Sequence, residues 1–344
     1  MEGLAIELTN LCNRRCLQCF QNKEDPPEFL PLALAGEILG QARALGFQTI
    51  SLTGGEVSLY PYLDEFLAMV VEEGFTFNLV TNGNRFREIL LPLLSSPKIR
   101  KGLTEVCFSL DGAQPETHDA LRGRGSFREV VEGATLCQFK GIPFCLKSII
   151  TNFNKEELTE LALLGATLET QSHRFLYPFL APRSIRAGII PSPQEVGDIV
   201  EWIAGSLTKL IRTKILVEGF APPTTLYTCA NIERMANLDY QGNLFLCCNL
   251  SHVTEGEGRP SVFGREWLVD LREVSLKEGL IRHFHAVAEL KEARLRDRGL
   301  PRDLMLDPCY WCFLHFGKLE WLRDFPESPW SVSLLKEEKL LAVT

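Results

Sequence analysis

The chain has no excess of basic charge: 36 Lys and Arg stand against 44 Asp and Glu in 344 residues, a formal net charge of -8. A protein that tracks a phosphate backbone concentrates Lys and Arg on one face, so nucleic acid is not an expected partner. The chain also lacks any apolar run long enough to span a bilayer. Its N-terminus, MEGLAIELTNLCNRRC, has no basic stretch followed by an apolar core and a small-residue cleavage site. The expectation is a cytoplasmic protein with no membrane partner. Histidine is scarce, six residues in all, and none marks a general acid or base; His173, near a predicted strand, reads as structural. No solenoid-type repeat and no low-complexity tract is present.

What the sequence does have is cysteine. Eleven cysteines in a chain without a secretion signal are better explained by metal ligation or buried thiols than by disulfides. Seven form two spaced sets, Cys12/Cys16/Cys19 and Cys229/Cys247/Cys309/Cys312. The other four, Cys107, Cys137, Cys145 and Cys248, sit in apolar or mixed segments and read as ordinary residues, although Cys248 competes with Cys247 as a ligand.

From residue 4 to about 190, short β-like runs alternate with amphipathic helical stretches, the pattern of βα units on a parallel sheet. The candidate strands are 4–9, 49–54, 76–82, 105–112, 144–151 and 173–179. Helical candidates lie near 33–46, 61–73, 86–94, 126–140 and 155–164. In such architectures functional residues gather at the carboxyl ends of strands. That rule places the first cysteine loop, Gly54-Gly55-Glu56, Thr81-Asn82-Gly83 and Ser109-Leu110-Asp111-Gly112 around one open mouth. Beyond 190, a helix over 194–213 leads to a Pro-rich stretch, then to a hairpin turning at Gly242. A loop follows over 251–264, then a charged helical segment over 266–298.

Cys12, Cys16 and Cys19 give three thiols at C-x3-C-x2-C on one polar loop. Three thiolates reach three corners of a 4Fe-4S cube and leave the fourth iron open. Structural zinc instead wants four ligands, and no local fourth follows. At these residues the sequence resembles the radical S-adenosylmethionine superfamily, with Gln18 where the family usually has an aromatic residue and Phe20 just after the last cysteine. The resemblance implies a partial (βα)6 TIM-like barrel of the α/β class, a 4Fe-4S cluster on the three cysteines, and S-adenosyl-L-methionine chelated to its open iron. It implies reductive cleavage of that cofactor to a 5'-deoxyadenosyl radical and hydrogen-atom abstraction from a substrate, with an electron donor such as flavodoxin or ferredoxin.

Gly54, Gly55 and Glu56 resemble the family's GGE motif, whose backbone meets the methionine amino group; glycine suits such a close approach. Ser109 and Arg122, in S-L-D-G and H-D-x-x-R-G contexts, are by the same resemblance candidates to hold the cofactor carboxylate. On residue grounds alone a surface ion pair of Arg122 with Asp119 competes. Thr81 and Asn82 resemble the family's T-N-G turn and line the pocket in that reading, or form a plain strand-to-helix turn. The cluster Arg183 to Arg186 suits an acidic substrate group or is a solvated loop.

The C-x12-G-x4-C hairpin at Cys229, Gly242 and Cys247, followed by Cys309 and Cys312, resembles the accessory region called SPASM or its shortened form, twitch. That implies one auxiliary 4Fe-4S cluster; a four-cysteine zinc site is the competing reading. The expected organisation is a barrel over 1–190, a helical linker over 191–224, an auxiliary-cluster region over 225–320 and a tail over 321–344. Peptide or protein modification is the leading function. A barrel beginning near residue 4, which leaves no room ahead of it for a leader-recognition domain, weighs toward the alternative of a small-molecule dehydrogenase or oxidase. A non-catalytic iron-sulfur or zinc module is the third reading.

Overall fold

The computed structural model describes residues 1–19, 21, 25–219, 229–251, 264–296 and 307–331. Phe20, most of the Pro-rich stretch, most of the 251–264 loop and the tail beyond 331 lie outside the described residues.

One ten-stranded sheet organises the chain. Its strands are β1 (Gly3–Glu7), β2 (Thr49–Thr53), β3 (Thr76–Thr81), β4 (Leu103–Ser109), β5 (Phe144–Ile149), β6 (Ser172–Leu176), β7 (Lys214–Glu218), β8 (Met235–Leu238), β9 (Asn243–Phe245) and β10 (Trp267–Asp270). The order is β10-β9-β8-β1-β2-β3-β4-β5-β6-β7. β1 to β7 pair in parallel with their sequence neighbours, and β8 joins the outer side of β1, also in parallel. The antiparallel hairpin of β8 and β9, with β10 beside it, completes that edge. The fold is the α/β partial barrel, its six βα units followed by a seventh parallel strand.

Alternation along the strands explains how the sheet is covered. Leu4, Ile6, Ile50, Leu52, Phe77, Leu79, Val106, Phe108, Phe144, Leu146 and Phe175 all enter one buried apolar cluster. Successive strand residues face opposite sides, so the intervening residues turn to the barrel interior. They are Glu7, Ser51, Asn78, Glu105, Cys107, Ser109, Cys145, Lys147, Arg174 and Glu218. The outer face is hydrocarbon and the inner face is polar.

Helices supply the outer cover. Leu32–Ala44 buries Ala35, Ile38, Leu39 and Ala42, one stripe at helical spacing. Ser126–Lys140 buries Val130, Gly133, Ala134 and Cys137, then stops at Gly141 in the left-handed region (φ 62). A Cβ at Gly133 would lie 2.7 Å from the Phe108 ring, so the glycine lets this helix press onto β4.

After β6 the helix Pro193–Trp202 runs on through a π-helical turn, Ile203–Leu207, and Thr208–Leu210 into β7. The segment expected to be helical over 266–298 begins instead with β10, because Trp267, Leu268 and Val269 extend the sheet on β9; the helix follows at Leu276–Arg296. Among the described residues no helix is long and apolar enough to cross a membrane.

The C-terminal part is fastened to the barrel by aromatic residues. Trp330, 1% exposed, donates from Nε1 to the Pro191 carbonyl at 2.9 Å, and its own carbonyl accepts the Tyr310 hydroxyl at 2.7 Å. Deleting a buried aromatic of this size costs about 3–5 kcal/mol. Trp330→Ala should therefore lower the urea midpoint of unfolding, followed by far-ultraviolet circular dichroism, while the conservative Trp330→Phe, which keeps the ring contact with Tyr310, loses less.

Candidate active site

The Cys12–Cys19 loop leaves β1 at the mouth of the barrel and is pinned from several directions. On the β2 side, Gly55 N–H donates to Thr9 O at 2.6 Å and Glu56 N–H to Leu11 O at 2.8 Å. No side chain fits between these segments: a Cβ at Gly55 would sit almost on the Leu11 carbonyl, and one at Gly54 (φ 126) would lie 2.5 Å from Thr9 O. Both glycines are required by the approach of the cysteine loop itself.

Glu56 is 2% exposed. Its carboxylate accepts from Thr81 Oγ1 (2.7 Å), Asn82 N (2.8 Å) and Ser58 N (3.2 Å), tying the end of β2 to the end of β3. Burial pushes its pKa above the ordinary carboxylate value, against these three donors. Asn82 continues the connection, donating from Nδ2 to Asn13 Oδ1 at 2.9 Å and to Cys12 Sγ at 3.7 Å. Thr81 also accepts from Gly83 N at 3.1 Å. Thr81 and Asn82 thus orient the cysteine loop.

β4 delivers the fourth support. Asp111, fully buried, accepts from Gln18 Nε2 and Arg122 Nε through one oxygen, and from Ile149 N at 2.8 Å through the other. Asp119 does not pair with Arg122 but caps the next helix, accepting from Gly125 N at 2.5 Å and Phe127 N at 2.9 Å. Burial opposes the charge on Arg122, yet Asp111 and the thiols of Cys16 and Cys19 outweigh it and keep the guanidinium firmly cationic. Reciprocally, burial pushes the Cys16 thiol up while Arg122 pulls it back. Leu17 N–H donates to Leu121 O at 2.9 Å, and Arg183 Nη2 reaches Cys19 O at 3.0 Å from beyond β6. Ser109 ends β4 on the inner face, in register with Lys147 of β5.

Two residues central to this arrangement have roles the sequence reading did not give them: Asp111, which holds Gln18, and Arg183, which binds the Cys19 carbonyl instead of serving an acidic substrate group or a solvated loop. Asp111 was visible as the acid of S-L-D-G, but nothing local said that it would meet Gln18. Arg183 serves a loop 164 residues away, a partner no local pattern reveals. His173 is structural: it is fully buried, bonded to Ser148 Oγ at 2.7 Å and stacked on Phe175 at 4.5 Å between ring centroids, and burial lowers its pKa to about 3.

The second cysteine set also assembles. Asn231 Nδ2 lies 3.1 Å from Cys247 Sγ and 3.3 Å from Cys248 Sγ. Cys309 and Cys312 are one helical turn apart on Pro308–His315, whose N-terminus is capped by Asp307 (2.8 Å to Cys309 N). The Cys247 thiol is raised by its contact with Cys248, by burial and by Cys229 and Cys309; Cys309 is raised by burial, Asp307, Cys312 and Cys229. Cys248 instead is lowered by Cys247 and lines a small cavity together with Glu7 of β1. Cys229, Cys247, Cys309 and Cys312 therefore share one neighbourhood, with Cys248 on its barrel side. Tyr177, just past β6, is raised by burial and by Asp307 and Cys309.

The donor chemistry fits iron-sulfur ligation. Three thiols on a glycine-cradled loop beside a buried arginine match a cluster with one open iron, and four thiols in the second set match full cysteine ligation.

Residues 6–164 match the family model described as the Radical SAM superfamily. Proteins of that superfamily work with a 4Fe-4S cluster and S-adenosylmethionine. The AdoMet-dependent heme synthase of Methanosarcina barkeri is 26% identical over 202 residues, 58% of this chain and 56% of that protein. The antilisterial bacteriocin subtilosin biosynthesis protein AlbA of Bacillus subtilis is 32% identical over 161 residues, 46% of this chain and 35% of that protein. The chain therefore spans only part of these relatives. Among solved structures, native anSMEcpe with bound AdoMet and Cp18Cys peptide superposes with a TM-score of 0.66 at 14% identity, covering 94% of this chain and 97% of that one, a likeness of fold.

Two substitutions test the loop docking. Gly55→Ala should prevent loading of the first cluster, read as about four fewer irons per chain after anaerobic reconstitution. Glu56→Gln should turn its new amide toward a backbone donor, costing about 1–3 kcal/mol and lowering both the melting temperature and the retention of iron.

Proposed function

We propose that this chain is a radical SAM enzyme that cleaves S-adenosylmethionine reductively and abstracts a hydrogen atom from a peptide or protein substrate. The observation that carries this reading is the convergence of the ends of β1, β2, β3 and β4 on one three-thiol loop, where Asp111 holds both Gln18 and Arg122. When bound, the cluster and its cofactor supply one electron and the 5'-deoxyadenosyl radical.

The protein's own residues do the rest. Cys12, Cys16 and Cys19 would hold a 4Fe-4S cluster as its three cysteine ligands. Gly54, Gly55 and Glu56 fix the loop, Thr81 and Asn82 hold its Cys12 end, and Asp111 holds Gln18 and Arg122 in place. Arg122 places positive charge where the cofactor carboxylate arrives, with Ser109 as a second donor on the same side. Cys229, Cys247, Cys309 and Cys312 would hold an auxiliary 4Fe-4S cluster. Two relatives support a peptide substrate, one named for bacteriocin biosynthesis and one solved with a peptide bound. The heme synthase relative keeps a small-molecule substrate as the second reading.

The assay is anaerobic. Reconstituted protein is reduced with dithionite and given S-adenosylmethionine, and 5'-deoxyadenosine is measured by chromatography. About eight irons per chain and product formation, lost in Cys16→Ala, are expected from two four-iron clusters. Zinc in place of iron with no 5'-deoxyadenosine would sink the reading. Cys309→Ala should remove about four irons yet leave the first cluster able to yield 5'-deoxyadenosine.

A further inference from the structure

Two cysteines that look unremarkable in the sequence meet inside the barrel. Cys107 on β4 and Cys145 on β5 are direct register partners on neighbouring parallel strands. Both lie on the inner face: their neighbours Val106, Phe108, Phe144 and Leu146 belong to the apolar cluster under the helices, and they do not, whereas Cys137, on a helix, does. Glu105 shares that inner face, two residues before Cys107. The two sulfur atoms and a Glu105 carboxylate oxygen all lie within 4.8 Å of one another.

We propose that Glu105, Cys107 and Cys145 form a further metal site, in the barrel interior, for a thiophilic divalent cation of the zinc class. The inference is independent of the iron-sulfur reading. Two thiolates and one carboxylate are an ordinary donor set for zinc, at about 2.3 Å to sulfur and about 2.0–2.2 Å to oxygen. Tetrahedral bonds of those lengths put neighbouring donors about 3.5–3.8 Å apart, so the three groups need close by no more than about an ångström. The fourth position is left for a water or a substrate donor.

The surroundings suit such an ion in two ways. Arg174 Nη2 holds Glu105 Oε1 at 2.5 Å, the kind of outer hydrogen bond that orients a metal-binding carboxylate. Lys147, two residues after Cys145 and so on the same face of β5, is paired with Glu218 at 3.0 Å. Arg174 and Lys147 thus stand against Glu105 and Glu218 in this interior. Binding exchanges two thiol protons, released to solvent, for one divalent ion. That exchange leaves the charge of the cluster unchanged, so a buried site acquires no unpaired charge.

The test uses the iron-loaded holoenzyme, so that the other cysteine sets are occupied. One equivalent of zinc chloride is added anaerobically, the excess is removed by gel filtration, metal is counted by mass spectrometry, and the zinc K-edge spectrum is recorded, an edge that iron does not obscure. One zinc per chain is expected, with a shell of two sulfur and one or two oxygen atoms, falling to background in Cys107→Ala/Cys145→Ala. Should that variant fail to fold, Glu105→Gln decides, and is expected to keep the two-sulfur shell while losing zinc more readily to a chelator. No retained zinc overturns the proposal. So does a four-sulfur shell that survives the double substitution, because it places the ion in one of the other cysteine sets, and so does Glu105→Gln behaving as the parent protein.

Discussion

The mouth of this barrel depends on the absence of a side chain at Gly55. The cysteine loop lies directly on the backbone that follows β2, and two main-chain hydrogen bonds, Gly55 N to Thr9 O and Glu56 N to Leu11 O, hold it there. Any Cβ at Gly55 would meet the Leu11 carbonyl. Packing alone cannot gather the three thiols of this loop, because three polar residues, Asn13, Arg14 and Arg15, separate the first two. Its shape is imposed by hydrogen bonds from the strands around it. Glu56 links β2 to β3, Asn82 links β3 to Asn13 and Cys12, Asp111 links β4 to Gln18, and Arg183 holds Cys19 from beyond β6.

The electrostatics follow from that scaffold. Burial pushes the Cys16 thiol up, and the neighbouring Cys19 and Cys12 push it in the same direction. Arg122 is the nearest compensation, and it is itself buried and would be unstable there without Asp111. The Asp111–Arg122 pair is therefore less a contribution to stability than a means of keeping one cation in a dry place. Removing one member of such a pair leaves the other uncompensated, at a cost of about 3–5 kcal/mol. The remaining carboxylate oxygen of Asp111 accepts Ile149 N, which fixes the pair to β5 as well.

Much of this was legible in the sequence because the strands alternate so cleanly. The runs at 4–9, 49–54, 76–82, 105–112, 144–151 and 173–179 contain β1 to β6 apart from the first one or two residues of β1, β4 and β6, and the rule that chemistry gathers at strand ends located the four loops. What was hidden depends on contacts far apart in the chain. β7, five residues after a long helical stretch, carries too short a pattern to separate from a connection, and is recognised by its pairing with β6. β10 looked like the start of a charged helix until β9 offered Trp267 and Val269 a partner. Asp119, the sequence-local partner of Arg122, caps a helix through Gly125 N and Phe127 N, while Arg122 pairs with Asp111, which lies farther away in the chain.

The same limit explains the reading of Cys107 and Cys145. A cysteine between apolar neighbours on a strand is ordinarily a small hydrophobe, and by composition neither differs from Cys137. The difference is which side of the sheet each thiol faces, and that is decided by the register of β4 against β5. Once Val106 and Phe108 are committed to the helix layer, Cys107 is committed to the interior, beside Glu105, Lys147 and Arg174. Parity along a strand is thus the constraint that turns two unremarkable residues into neighbours of a charged group. It gives the interior its polar character without any local sequence signal.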